Sequence, residues 1–87
     1  MKVRNILKAR TTEYKVNWYY EPCWQVSKNN VMVRIVPYYY IGAPNTLLLR
    51  EFVNGRCVKV AEHKGDYDSL TESKAKELAL EFSARLA

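Results

Sequence analysis

Residues 46–62, TLLLREFVNGRCVKVAE, decide the fold. Two runs rich in Leu, Val and Phe flank Asn54-Gly55, and such a pair readily takes the positive φ angles of a type I′ hairpin turn. That turn predicts Leu49 opposite Val60 and Glu51 opposite Val58. The other face then carries Leu48, Arg50, Phe52, Cys57, Lys59 and Ala61. Arg50 faces Lys59 in this register, a like-charge pair that costs roughly a few tenths of a kcal/mol unless an anion sits between them.

A second hairpin is expected upstream. Residues 23–28 and 31–40 flank Asn29-Asn30, and asparagine tolerates positive φ. Trp24 and Val26 then share a face with Ile35 and Val33, while Gln25, Ser27, Met32 and Arg34 occupy the other. Pro37 ends regular pairing or marks an edge, and 42–45 is a loop. Residues 13–20 alternate as a strand does, with Tyr14, Val16, Trp18 and Tyr20 on one side. Glu21-Pro22 is expected to break that strand, because proline cannot donate to a ladder. Residues 1–11 read as a basic arm holding a short strand at 3–7.

Downstream, residues 64–68 form a turn and a helix starts at Ser69 or Thr71. Ser69 and Glu72 have the spacing of a capping box. Ala75, Leu78, Ala79, Phe82 and Leu86 recur at helical spacing as one apolar stripe. Glu72 with Lys76, and Glu81 with Arg85, form acid-first pairs on the opposite side. The expected fold is therefore α+β: an antiparallel sheet of four or five strands, with hairpins at 29–30 and 54–55. It packs on one C-terminal helix over about 70–86. Eighty-seven residues allow one domain and not two independent cores.

Hydrophobic residues make up 48% of the chain, which suits a packed domain better than a disordered one. No run of apolar residues is long enough to span a membrane. The N-terminus is basic but lacks the apolar stretch of a secretory signal, so a cytoplasmic location in a bacterium or infected host cell and no membrane partner are expected. Cys23 and Cys57 belong to no CxxC motif and His63 is the single histidine, which leaves no zinc set; both thiols are expected to be buried. Gly42, Gly55 and Gly65 are isolated turn residues rather than a phosphate loop. No carboxylate pair or nucleophile–base pair is spaced for catalysis. The expectation is a non-enzymatic protein without cofactor or metal.

Net charge is +5, and its distribution says more than its size. Residues 1–60 hold ten Lys and Arg against Glu13, Glu21 and Glu51, or +7; residues 61–87 hold four against six acids, or −2. Positive charge thus belongs to the sheet and the leading segment, where it attracts polyanions through counterion release. Aromatic residues are interleaved with these cations. Trp18 and Trp24 fall on the apolar side of their strands, whereas Tyr38 and Tyr40 share parity with Arg34 on the face away from the helix.

Residues 47–86, LLLREFVNGRCVKVAEHKGDYDSLTESKAKELALEFSARL, run strand, NG turn, basic strand, DYDSLT turn and helix. This stretch resembles the N-terminal arm-type DNA-binding domain of phage and prophage tyrosine-recombinase integrases. The resemblance implies a sheet packed on a C-terminal helix, with the opposite sheet face laid into the DNA major groove. Carried onto this chain, that face holds Arg50 and Lys59, joined by Arg34 from the preceding strand.

Together these features predict a nucleic-acid-binding module of a phage or mobile element, with DNA ahead of RNA. Its contact residues would be Arg34, Tyr38, Tyr40, Arg50 and Lys59 on the sheet, with Lys2, Arg4, Lys8 and Arg10 adding nonspecific attraction. The alternative is a small phage protein that inhibits a host protein complex, of anti-defence or anti-CRISPR type. It would act by protein–protein contact, since mixed aromatic and arginine surface is also hot-spot composition. Either function is compatible with a homodimer formed through a strand edge.

Overall fold

The computed structural model describes residues 1–11, 19–38 and 45–87, the side chains of 7–11 and 19–21 excepted. The chain has the expected α+β architecture. Five antiparallel strands lie in sequence order: β1 (Lys2–Thr11), β2 (Tyr19–Lys28), β3 (Val31–Pro37), β4 (Thr46–Val53) and β5 (Arg56–Lys64). Helix α1 (Glu72–Phe82) follows. Both expected hairpin turns form. Asn29, Asn54 and Gly55 take φ of 55°, 51° and 79°, which Asn and Gly adopt at low cost. The two turns sit at the same end of the sheet and are tied together. Asn54 N–H donates to the Asn30 carbonyl, and Asn30 Nδ2 donates to Asn54 Oδ1, each at 3.0 Å.

Strand alternation then builds the core. Trp24 lies opposite Ile35 and Val26 opposite Val33, as the 29–30 turn requires. Val26, Val33, Ile35 and Leu47 are fully buried under the helix residues Ala75, Leu78 and Ala79. Helix α1 crosses chiefly over β1, β2 and β3. Its N-cap is Thr71, whose hydroxyl accepts from Lys74 N–H at 3.2 Å. Ser69 belongs instead to a 3-10 turn (Tyr67–Ser69) and donates to Asp66 at 2.8 Å. The helix stops at Phe82 rather than near 86, because Ser83 adopts an extended conformation. A second 3-10 turn (Ala84–Leu86) then carries Leu86 into the core that the apolar stripe anticipated.

Four expectations are corrected. The segment read as an arm is a ten-residue edge strand, β1, hydrogen-bonded to β2. Pro22 does not break a strand but lies inside β2. Between Ile6 and Ala9 the β1–β2 ladder shifts register, and Pro22 faces that irregularity, where a missing N–H costs little. Cys57 is exposed, whereas Cys23 is buried as expected. The fourth correction concerns β5: its ladder with β4 contains a bulge, so that Phe52 pairs with Cys57 but Glu51 pairs with Lys59, leaving Val58 unmatched. Beyond that point Leu49 faces Ala61 and Arg50 faces Val60. The parity of β5 is therefore inverted relative to a plain hairpin. Trp18, the rest of 13–18, and Tyr40 lie outside the described residues.

Candidate functional site

On the face away from α1, cross-strand pairing places side chains in rows. Successive registers give Lys2, Ser27, Met32, Phe52 and Cys57 in one row. The next holds Arg4, Gln25, Arg34, Arg50 and Val60. A third holds Ile6, Cys23, Val36, Leu48 and Glu62, and its first four members form a small apolar cluster of their own. Tyr38, whose N–H donates to the Thr46 carbonyl at 2.9 Å, and Lys64, opposite Thr46, close the face.

The second row is the distinctive one. Three arginines from three strands stand on one line across the sheet. At a strand spacing of about 4.8 Å, Arg4 to Arg50 spans about 14 Å at the backbone. Arg34 and Arg50 are direct cross-strand partners. Arg34 Nε is buried without a hydrogen-bond partner among the described residues, and its guanidinium lies 5.6 Å from the centre of the Phe52 ring. Among the described side chains, Glu62 is the one carboxylate at a register position on this face, against Lys2, Arg4, Arg34, Arg50 and Lys64.

Of the predicted contact residues, Arg34, Arg50, Tyr38, Lys2 and Arg4 lie on this one face. Lys8 and Arg10 belong to β1, with side chains outside the description. Lys59 is the error. The bulge turns it to the helix side, where its ammonium donates to the Phe82 carbonyl at 2.7 Å and lies 4.6 Å from the Phe82 ring centre. The predicted Arg50–Lys59 pair does not form, and among the described residues the directly opposed like charges are Arg34 and Arg50 instead. Arg4 takes a more specific place than its expected role as diffuse charge. Even-numbered spacing along β1 was the signal that could have set it beside Gln25.

Sequence reading also missed how a carboxylate comes to be buried under α1. Glu51 is 1% exposed on the helix side of β4, between Val33 and Lys59. Its Oε2 accepts from Ser83 Oγ, and its Oε1 accepts from Arg85 Nη1 at 2.7 Å. Arg85 thus bonds the sheet rather than its expected helical partner Glu81. Because this cluster satisfies the carboxylate from the segment that follows the helix, it reads as the clamp between the two layers.

Comparison with protein-family models, curated proteins and solved structures found no match.

Proposed function

We propose that the chain binds nucleic acid through the helix-free face of its sheet, with the row Arg4–Arg34–Arg50 as the phosphate-contacting element. The observation that carries this reading is the direct opposition of Arg34 and Arg50, extended by Arg4 on the same line. Like charges set opposite one another weaken a sheet, and a polyanion converts that cost into attraction. A row of about 14 Å suits an extended ligand better than a single anion, since each strand of a duplex carries one phosphate per about 3.4 Å of helix axis. Gln25, on the same line, can add hydrogen bonds to base edges or phosphate. Tyr38 lies four residues beyond Arg34, just past the end of β3 and about 13 Å away, at the margin of the face. The resemblance to the arm-type integrase domain supports the same face and favours DNA, without Lys59 as a contact.

Fluorescence anisotropy tests this with labelled duplex DNA, single-stranded DNA and RNA, each titrated across salt. Binding should weaken steeply as salt rises. A double change of Arg34 and Arg50 to Gln should reduce the logarithmic salt slope by about two. Lys59→Ala should leave the slope unchanged. Absence of binding to all three at low salt, or an unchanged slope in the double variant, would remove the sheet face. A protein partner engaged by the same arginine and aromatic surface would then lead.

A further inference from the structure

Resting on the nucleic-acid reading, we infer that the ligand of the helix-free face is an unpaired strand. Its phosphates lie on the arginine row and its bases on the row beside it. That neighbouring row, Lys2, Ser27, Met32, Phe52 and Cys57, runs parallel to the arginine row across the same strands. Residues two apart on a strand are about 7 Å apart, so the rows are separated by the reach of one nucleotide from phosphate to base. Met32 and Phe52 are half-buried and Cys57 is exposed, so this row offers apolar surface and an aromatic ring to solvent. The row on the other side of the arginines does not. Its centre, Cys23 and Val36, is buried, and it ends in Glu62.

A cationic row beside a ring contacts phosphate and base face together. In a duplex the base faces are stacked on one another and only their edges reach the grooves, whereas an unpaired strand offers both. Arg34 joins the two rows. Its guanidinium lies 5.6 Å from the centre of the Phe52 ring, which sets a flat cation against an aromatic ring, and bases stack on surfaces of both kinds. Width argues in the same direction. Five strands at about 4.8 Å measure about 19 Å across, while the major groove is about 12 Å wide and admits a two-stranded ribbon. The arginine row crosses β1 to β4, so a ligand that meets all of it lies over the sheet rather than enclosing it in a groove.

Anisotropy with oligo-dT, oligo-U and a mixed-sequence duplex, each about 16 nucleotides long, tests the strand state in the full chain. At one salt concentration a single strand should bind about tenfold or more tighter than the duplex, and the tighter of the two identifies the sugar. Phe52→Leu removes the ring but keeps an apolar side chain. It should weaken single-strand binding about fivefold or more at an unchanged salt slope, and Phe52→Tyr should bind as the parent does. A further readout needs no variant. Cys23 is buried, so iodoacetamide reacts at Cys57 in the folded chain, and a saturating single strand should slow that reaction as followed by mass spectrometry. Three results would each overturn the inference and leave the sheet-face reading standing: duplex bound as tightly as both single strands, Phe52→Leu without effect on binding, or Cys57 equally reactive with and without the strand. Binding to none of the three oligomers would remove that reading, and this inference with it.

Discussion

Glu51 and Arg34 make opposite use of charge at the level of single residues. Glu51 is buried but satisfied, by Ser83 and Arg85. Removing Arg85 would leave a desolvated carboxylate with one donor fewer, a loss of about 1–2 kcal/mol once the exposure of Arg85 is allowed for. Urea unfolding of Arg85→Ala should show that loss. Lys74→Ala, which breaks an exposed pair with Glu77, should stay within about 0.5 kcal/mol of the parent. Arg34 is the reverse case, with a buried Nε that has no hydrogen-bond partner among the described residues and Arg50 directly opposite. Replacing it by Met keeps contact with Phe52 and removes both penalties. Arg34→Met should therefore raise stability by about 0.5–1 kcal/mol while weakening nucleic-acid binding. A variant that loses stability in urea would show that the stacking on Phe52 outweighs the repulsion.

At the level of elements, the turns were the most legible part of the sequence. Asn29-Asn30 and Asn54-Gly55 state their φ requirements locally, and antiparallel neighbours follow from hairpins without further information. The positions of Trp24, Val26, Val33 and Ile35 followed from the same turn. What stayed hidden depends on partners distant in sequence. The bulge at Val58 inverts the faces of Lys59 to Lys64, and no residue in RCVKVAEHK marks it, since neither glycine nor proline is present. Pro22 misled for a related reason: it is tolerated only because β1 is irregular opposite it, a fact about another strand. The helix ended early because Ser83 bonds Glu51, a contact 32 positions away in sequence. Its start was ambiguous between Ser69 and Thr71, and the two differ measurably. Thr71→Ala should cost about 1 kcal/mol as loss of an N-cap. Ser69→Ala, which removes a hydrogen bond within an exposed 3-10 turn, should cost less. Equal losses for the two, or a greater loss at Ser69, would move the functional cap.

Across the whole molecule, the division of charge seen along the sequence becomes a division between layers. The helix-free face gathers Lys2, Arg4, Arg34, Arg50 and Lys64 against Glu62, while α1 carries Glu72, Glu77 and Glu81 against Lys74 and Lys76. This segregation gives salt two opposing effects. In the protein alone, ions screen the repulsion within the arginine row, so the melting temperature should rise as NaCl is increased from a low value. With a saturating oligonucleotide the bound state already neutralises that row, and ligand linkage adds about 2.7 kcal/mol when the free oligonucleotide is at about 100 times its dissociation constant. Added salt then expels the ligand, so the melting temperature of the mixture should start higher and fall until it meets the curve of the protein alone. Two thermal melts across the same salt series measure both effects. If the two curves coincide at low salt, the face does not bind the oligonucleotide. If the protein alone shows no rise with salt, the arginines are already neutralised from within the chain, and their alignment imposes no cost that a ligand could relieve.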